Sequence, residues 1–133
     1  LGFHLLGKAV DVVRYLIDGF AQEMESKVNL WQMSVRQMLL VAFRSILGHR
    51  EMLLLFYERG LFRFAHKSIS DYISKDHILT MMERETIDAR AYKYIVAQIS
   101  AVLISVIETW IENGLEEPVE FLAELTETLM YKP

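Results

Sequence analysis

An all-α fold is predicted for this 133-residue chain, and three observations predict it. Only two prolines occur, Pro118 and the terminal Pro133, so helix breakers are scarce. Apolar residues recur with a period near 3.6 along most of the chain. The stretch from Tyr94 to Ile107 carries no charged residue and runs straight into Trp110-Ile111-Glu112-Asn113-Gly114. The expectation is one domain of about six helices, the last two pairing with those of a second copy in a four-helix-bundle interface.

The first helix is expected from about Lys8 to Ser26, burying Ala9, Val13, Leu16, Ile17, Phe20 and Met24, with Gly19 inside it lowering its straightness. A second spans about Leu30 to Leu47 on the stripe Trp31, Val35, Met38, Leu39, Ala42 and Ile46; Gly48 stands where a C-terminal glycine cap belongs. A short third helix runs from Arg50 to about Arg59, and Gly60 ends it. The fourth, Leu61 to Ser74, places Leu61, Ala65, Ile69, Tyr72 and Ile73 inward and Arg63, Lys67, Ser70 and Asp71 toward water. Asp76 to about Glu85 is read as a loop or loose turn, with Met81-Met82 packed on something. Thr86 is the expected N-cap of the long fifth helix, which Asn113-Gly114 ends. Glu116-Glu117-Pro118 opens the last helix, because proline suits a first turn and acids favour a helix N-terminus. Its stripe is Phe121, Leu122, Leu125, Thr128 and Leu129.

The long helix is apolar nearly all round. One stripe runs through Tyr92, Ile95, Val96, Ile99, Val102, Leu103, Val106, Ile107 and Trp110, and the opposite side holds Ala97, Ala101 and Ile104. Such a helix must be covered on both sides. A single small core covers one side, so the other is expected to meet a second chain, and Ala97, Ser100, Ala101 and Ser105 would let it approach closely. The dimer seam is therefore drawn through Tyr92, Val96, Ile99, Leu103, Val106, Trp110, Phe121, Leu125 and Leu129. Gln98 is the odd residue, an amide in the least polar part of the chain. Buried without partners it would cost about 1–3 kcal/mol, so it is expected to meet a backbone group, a partner-chain residue or a ligand.

Composition excludes several functions. With no cysteine, disulfides and thiolate metal sites are ruled out, which fits a reducing cytoplasm. A net charge of −4 argues against nucleic-acid binding by these residues, since phosphate recognition needs a basic face. The uncharged run of about 14 residues is short of the roughly 20 that span a bilayer, and no basic segment followed by a long apolar core marks a signal peptide. The chain starts at Leu1 rather than Met, so it is expected to be a fragment of a longer protein. His4, His49, His66 and His77 lie apart with no metal-ligand spacing. His66, Ser68, Ser70 and Asp71 sit close together, but on the polar side of an amphipathic helix without a strained turn or oxyanion donors. No glycine-rich phosphate loop occurs. Neither an enzyme nor a bound metal or cofactor is expected.

The residues Trp110-Ile-Glu-Asn-Gly114 followed by Glu117-Pro118-Val-Glu-Phe121-Leu-Ala-Glu-Leu125 resemble the C-terminal region of TetR-type transcriptional regulators. Leu47-Gly48-His49-Arg50 and Leu53 to Phe62 fit the middle of the same domain. The match is nearest to the branch whose long helix has an aromatic near its start, here Tyr92 or Tyr94, and closes on a Trp–Gly pair, here Trp110 and Gly114. It covers most of residues 35–130. The family's N-terminal helix-turn-helix is absent, so contact with operator DNA would run through a part outside this chain.

The resemblance implies a cytoplasmic homodimer with residues 1–26 as a connecting helix, 30–113 as an effector-binding core and 86–130 as dimerisation helices. An apolar small-molecule effector would sit among Trp31, Met38, Phe56, Phe62 and Tyr94, with Gln98 as its polar anchor. Two alternatives stay open: a helical dimerising adaptor without a small-molecule ligand, favoured by a filled core, and a small helical enzyme, which would need a convergent set of titratable groups.

Overall fold

The computed structural model describes residues 34–73 and 88–131, together with Asp11, Arg14, Tyr15, Asp18, Gly19, Gln22 and Glu23 of an N-terminal helical segment. Among the described residues there are five α-helices and no strand: α1 (Val35–Gly48), α2 (Arg50–Glu58), α3 (Ala65–Ile73), α4 (Ala89–Glu112) and α5 (Val119–Tyr131). A 3-10 turn, Leu61–Phe64, precedes α3, so the single fourth helix expected from Leu61 to Ser74 is a tight turn followed by a nine-residue α-helix. The expected inner face of the first helix, the expected loop over 76–85 and Trp31 lie outside the described residues. The seven described N-terminal residues are helical and recur at helical spacing; all are exposed except half-buried Glu23.

Helix α1 starts later than its apolar stripe suggests, because Ser34 caps it. Ser34 Oγ accepts from the Gln37 amide at 3.2 Å, and Gln37 Oε1 accepts from the Ser34 amide at 3.0 Å, so two orphan donors are satisfied reciprocally. Helix α4 is likewise capped not by Thr86 but by Asp88, whose carboxylate accepts from the Arg90 amide at 2.7 Å. The side-chain and backbone bonds from Arg90 hold the Asp88 carboxyl below its ordinary range.

Helices α1 and α5 lie antiparallel along each other. Arg36 pairs with Glu127 at 3.0 Å and Arg44 with Glu120 at 3.6 Å, so position rises along one helix as it falls along the other. Val35, Leu39, Phe43 and Ile46 face inward from α1; Val119, Leu122, Ala123 and Met130 face them from α5. Helix α4 runs between α3 and α5. The Ser70 hydroxyl donates to Ser100 Oγ at 2.9 Å, and Ser100 in turn donates to the Val96 carbonyl at 2.7 Å, so the polar groups at the α3–α4 contact are satisfied. Phe43 meets Trp110 edge-on at a centroid distance of 5.7 Å, and Trp110, 1% exposed, is the largest fully buried side chain.

By length and composition α4 could cross a bilayer, a test that the core helix of a soluble protein also passes. Val96, Ile99, Ser100, Val106, Ile107, Trp110 and Ile111 on α4 are buried against the rest of the chain, which is how a core helix behaves.

Candidate dimerisation surface

The hairpin of α4 and α5 is built around its turn. Gly114, at φ +74°, is the left-handed residue that ends α4. Its amide donates to the Ile111 carbonyl at 3.0 Å and the Leu115 amide to the Trp110 carbonyl at 2.9 Å, the paired bonds of a Schellman motif. Leu115, itself at φ +58°, packs half-buried on the core. The Trp110 indole N–H then donates to the Glu117 carbonyl at 3.1 Å, tying the far side of the turn back to α4. With so short a connection the two helices are antiparallel neighbours.

Both helices of this hairpin carry exposed apolar or small residues. On α5, Phe121, Leu125 and Leu129 form a four-residue ladder and are 52%, 37% and 42% exposed. On α4, Ala97, Gln98, Ala101 and Ser105 are exposed, Ile104 is half-buried, and Tyr94 is 69% exposed. Ala97, Ala101 and Ser105 of α4 are small, while Phe121, Leu125 and Leu129 of α5 are large.

The structure divides the residues through which the seam was drawn. Phe121, Leu125 and Leu129 lie outside, where a second chain can reach them. Val96, Ile99, Val106 and Trp110 are at most 8% exposed and belong to the chain's own core, with Tyr92 and Leu103 half-buried against it. Their side chains have little surface left for a partner. On α4 the accessible face is the opposite one, through Tyr94, Ala97, Ala101 and Ser105. A charge at Ile99 would accordingly disrupt the core rather than a seam. The expected α5 stripe is corrected in the same way: only Leu122 of it is buried, and the inner stripe is Val119, Leu122, Ala123, Thr126 and Met130.

The residues grouped as effector walls differ in their burial. Phe62 is buried, while Met38 and Phe56 pack half-buried at the edge of the core. Tyr94 and Gln98 sit on the outer face of α4. Gln98, being exposed, pays no desolvation cost, so the argument that it must find a buried partner does not apply within one chain. Trp31 lies outside the described residues.

Polar groups around this surface are paired locally. Tyr57 of α2 donates to Glu112 Oε1 at 2.9 Å; that bond, burial and the charges of Glu112 and Glu108 raise its pKa. Arg90 bridges to Asp88 at 3.1 Å, and the Lys93 ammonium lies 5.5 Å from the Tyr94 ring centroid. Of the His66, Ser68, Ser70 and Asp71 group, Ser70 is bonded to Ser100 and Asp71 is ion-paired with Lys67 and Arg14. No cluster of metal-ligating side chains occurs among the described residues.

A family model described as a transcriptional regulator C-terminal region matches residues 34–132, about three quarters of the chain. The match opens on Ser34, the N-cap of α1, and closes one residue beyond α5, so it takes in all five helices. No curated protein and no solved structure matches the chain.

Proposed function

The chain belongs to the C-terminal regions of TetR-type transcriptional regulators, and from that premise we propose that it is the dimerisation and regulatory half of a cytoplasmic regulator whose DNA-binding head lies outside this chain. The observation that carries the reading is the exposed apolar face of the α4–α5 hairpin. Two such hairpins, packed face to face, make a four-helix bundle with two-fold symmetry. A stable pairing of this kind buries at least about 1,600 Å² in total. The operator would be reached through the missing head, which is consistent with the acidic balance here.

In this proposal an apolar effector, where one binds, acts on the position of the connecting segment before α1. That segment is tied to the core by an exposed ion pair, Arg14 to Asp71 at 3.9 Å, and by a contact between Glu23 and His49 at 3.1 Å. An effector shifts its position only by binding the two arrangements with unequal affinity. A second reading, a dimerising adaptor without a small-molecule ligand, is favoured by one observation: Tyr94 and Gln98, two of the proposed ligand contacts, are exposed, whereas Phe62 is buried.

Sedimentation equilibrium of the purified chain across nanomolar to micromolar concentration tests the dimer. A reversible monomer–dimer equilibrium or a stable dimer is expected, and a monomer at all concentrations would sink the reading.

A further inference from the structure

The outer line of α4 is a charge palindrome, and from it we infer how the second copy docks: α4 crosses its own symmetry mate antiparallel, with the two-fold axis at Ala101. This rests on the dimer reading above and specifies its register. Turning 100° per residue from Ala101, the helix brings Arg90, Tyr94, Glu108 and Glu112 back within about 20° of the same line. Their offsets are symmetric. Arg90 and Glu112 each lie eleven residues from Ala101, about 16 Å along the axis, and Tyr94 and Glu108 each lie seven residues away, about 10 Å. An antiparallel mate centred there sets Arg90 opposite Glu112 of the second copy and the Tyr94 hydroxyl opposite Glu108 of the second copy, each contact occurring twice.

Arg90, Tyr94 and Glu112 are exposed, and Glu108 is half-buried. The Arg90 side chain is 93% exposed, and its contact with Asp88 uses part of a five-donor guanidinium. Tyr94 is 69% exposed. Glu112 takes the Tyr57 hydroxyl on Oε1, and a carboxylate has further lone pairs to offer. At the centre, Ala101 is exposed and small enough for the axes to approach to about 10 Å, which leaves the two Ala101 Cα atoms about 5 Å apart. The end contacts also select the angle. Near +20°, two axes 16 Å from their crossing have separated only to about 11 Å, within reach of an arginine and a glutamate; near −50° they have separated too far. The opposite, parallel arrangement would place Arg90 on Arg90 and Glu112 on Glu112, so the same charges that fix the register also reject the alternative.

Cysteine trapping tests the register, and the chain has no cysteine of its own. Under mild oxidation Ala101→Cys is expected to form a disulfide-linked dimer, because Cα atoms at such a crossing fall within the usual disulfide span. Tyr94→Cys alone should stay unlinked, its two copies being about 21 Å apart. A co-refolded mixture of Tyr94→Cys with Glu108→Cys should cross-link. In parallel, Arg90→Glu or Glu112→Arg alone is expected to weaken the dimer about tenfold, and the two together to restore it. A wild-type dimer in which Ala101→Cys does not link, or Tyr94→Cys links to itself, overturns the register and leaves the dimer standing. A wild-type monomer overturns both.

Discussion

Helix α5 carries two apolar stripes of similar length that end in opposite surroundings. Val119, Leu122, Ala123 and Met130 are at most 9% exposed against α1 and α4, whereas Phe121, Leu125 and Leu129 face outward. Helix α4 repeats the division with a difference of size: Val96, Ile99 and Trp110 inside, Ala97, Ala101 and Ser105 outside. Helical periodicity marks a stripe that must leave water, but what covers it, the same chain or another, is settled by packing. The size contrast follows from this. A core is filled by large side chains, while a helix meant to approach another closely presents small ones.

The two faces should answer differently to substitution. Trp110→Ala has the largest expected effect. It opens a void beside Phe43 and removes the indole bond to Glu117, costing about 3–5 kcal/mol in denaturant unfolding. Leu125→Glu should do the reverse, leaving helicity intact by circular dichroism while a charge in the seam weakens the dimer by about 3 kcal/mol, more than a hundredfold. Loss of the fold in that variant would erase the distinction between the stripes. Gly114→Ala is smaller, about 1–2 kcal/mol by thermal unfolding. A Cβ there meets nothing nearer than 3.8 Å, so the cost is that of the left-handed backbone alone. The smallest change carries the opposite sign. Thr126 is fully buried on the inner stripe, and its hydroxyl has no hydrogen-bond partner among the described residues. Thr126→Val should therefore stabilise the monomer by about 1 kcal/mol, seen as a higher melting temperature with dimer affinity unchanged.

The helical class and most helix ends were legible in the sequence. Gly60 and Asn113-Gly114 punctuate α2 and α4 where expected, because glycine is the residue that takes up a left-handed cap without strain. The starts were less visible. The pair Ser34 and Gln37 is a capping-box signature that could have placed the beginning of α1, but the apolar Trp31 drew the helix earlier. At α4, Thr86 and Asp88 are both capping types two residues apart, and only the bond to the Arg90 amide distinguishes them. Which way each stripe faces could not be read, since Phe121 and Leu122 are neighbours in sequence and a rotation of 100° exchanges their fates. Gln98 shows the same limit: an amide among apolar neighbours reads as buried, yet it lies exposed on α4.

The antiparallel closure of α5 onto α1 has a consequence for the chain as it is made. The apolar face of α1, completed at Ile46, is covered by residues as late as Met130. At ribosomal speeds of about 5–20 residues per second, that face waits on the order of ten seconds for its cover. Until then Val35, Leu39, Phe43 and Ile46 are an exposed sticky surface on a nascent chain, and chaperones have a defined interval in which to hold it. The outer face of the hairpin matures at the same moment, because α5 supplies both sides. Folding of the monomer and competence to pair are thus released together when α5 emerges, so a chain truncated before α5 would lose both at once.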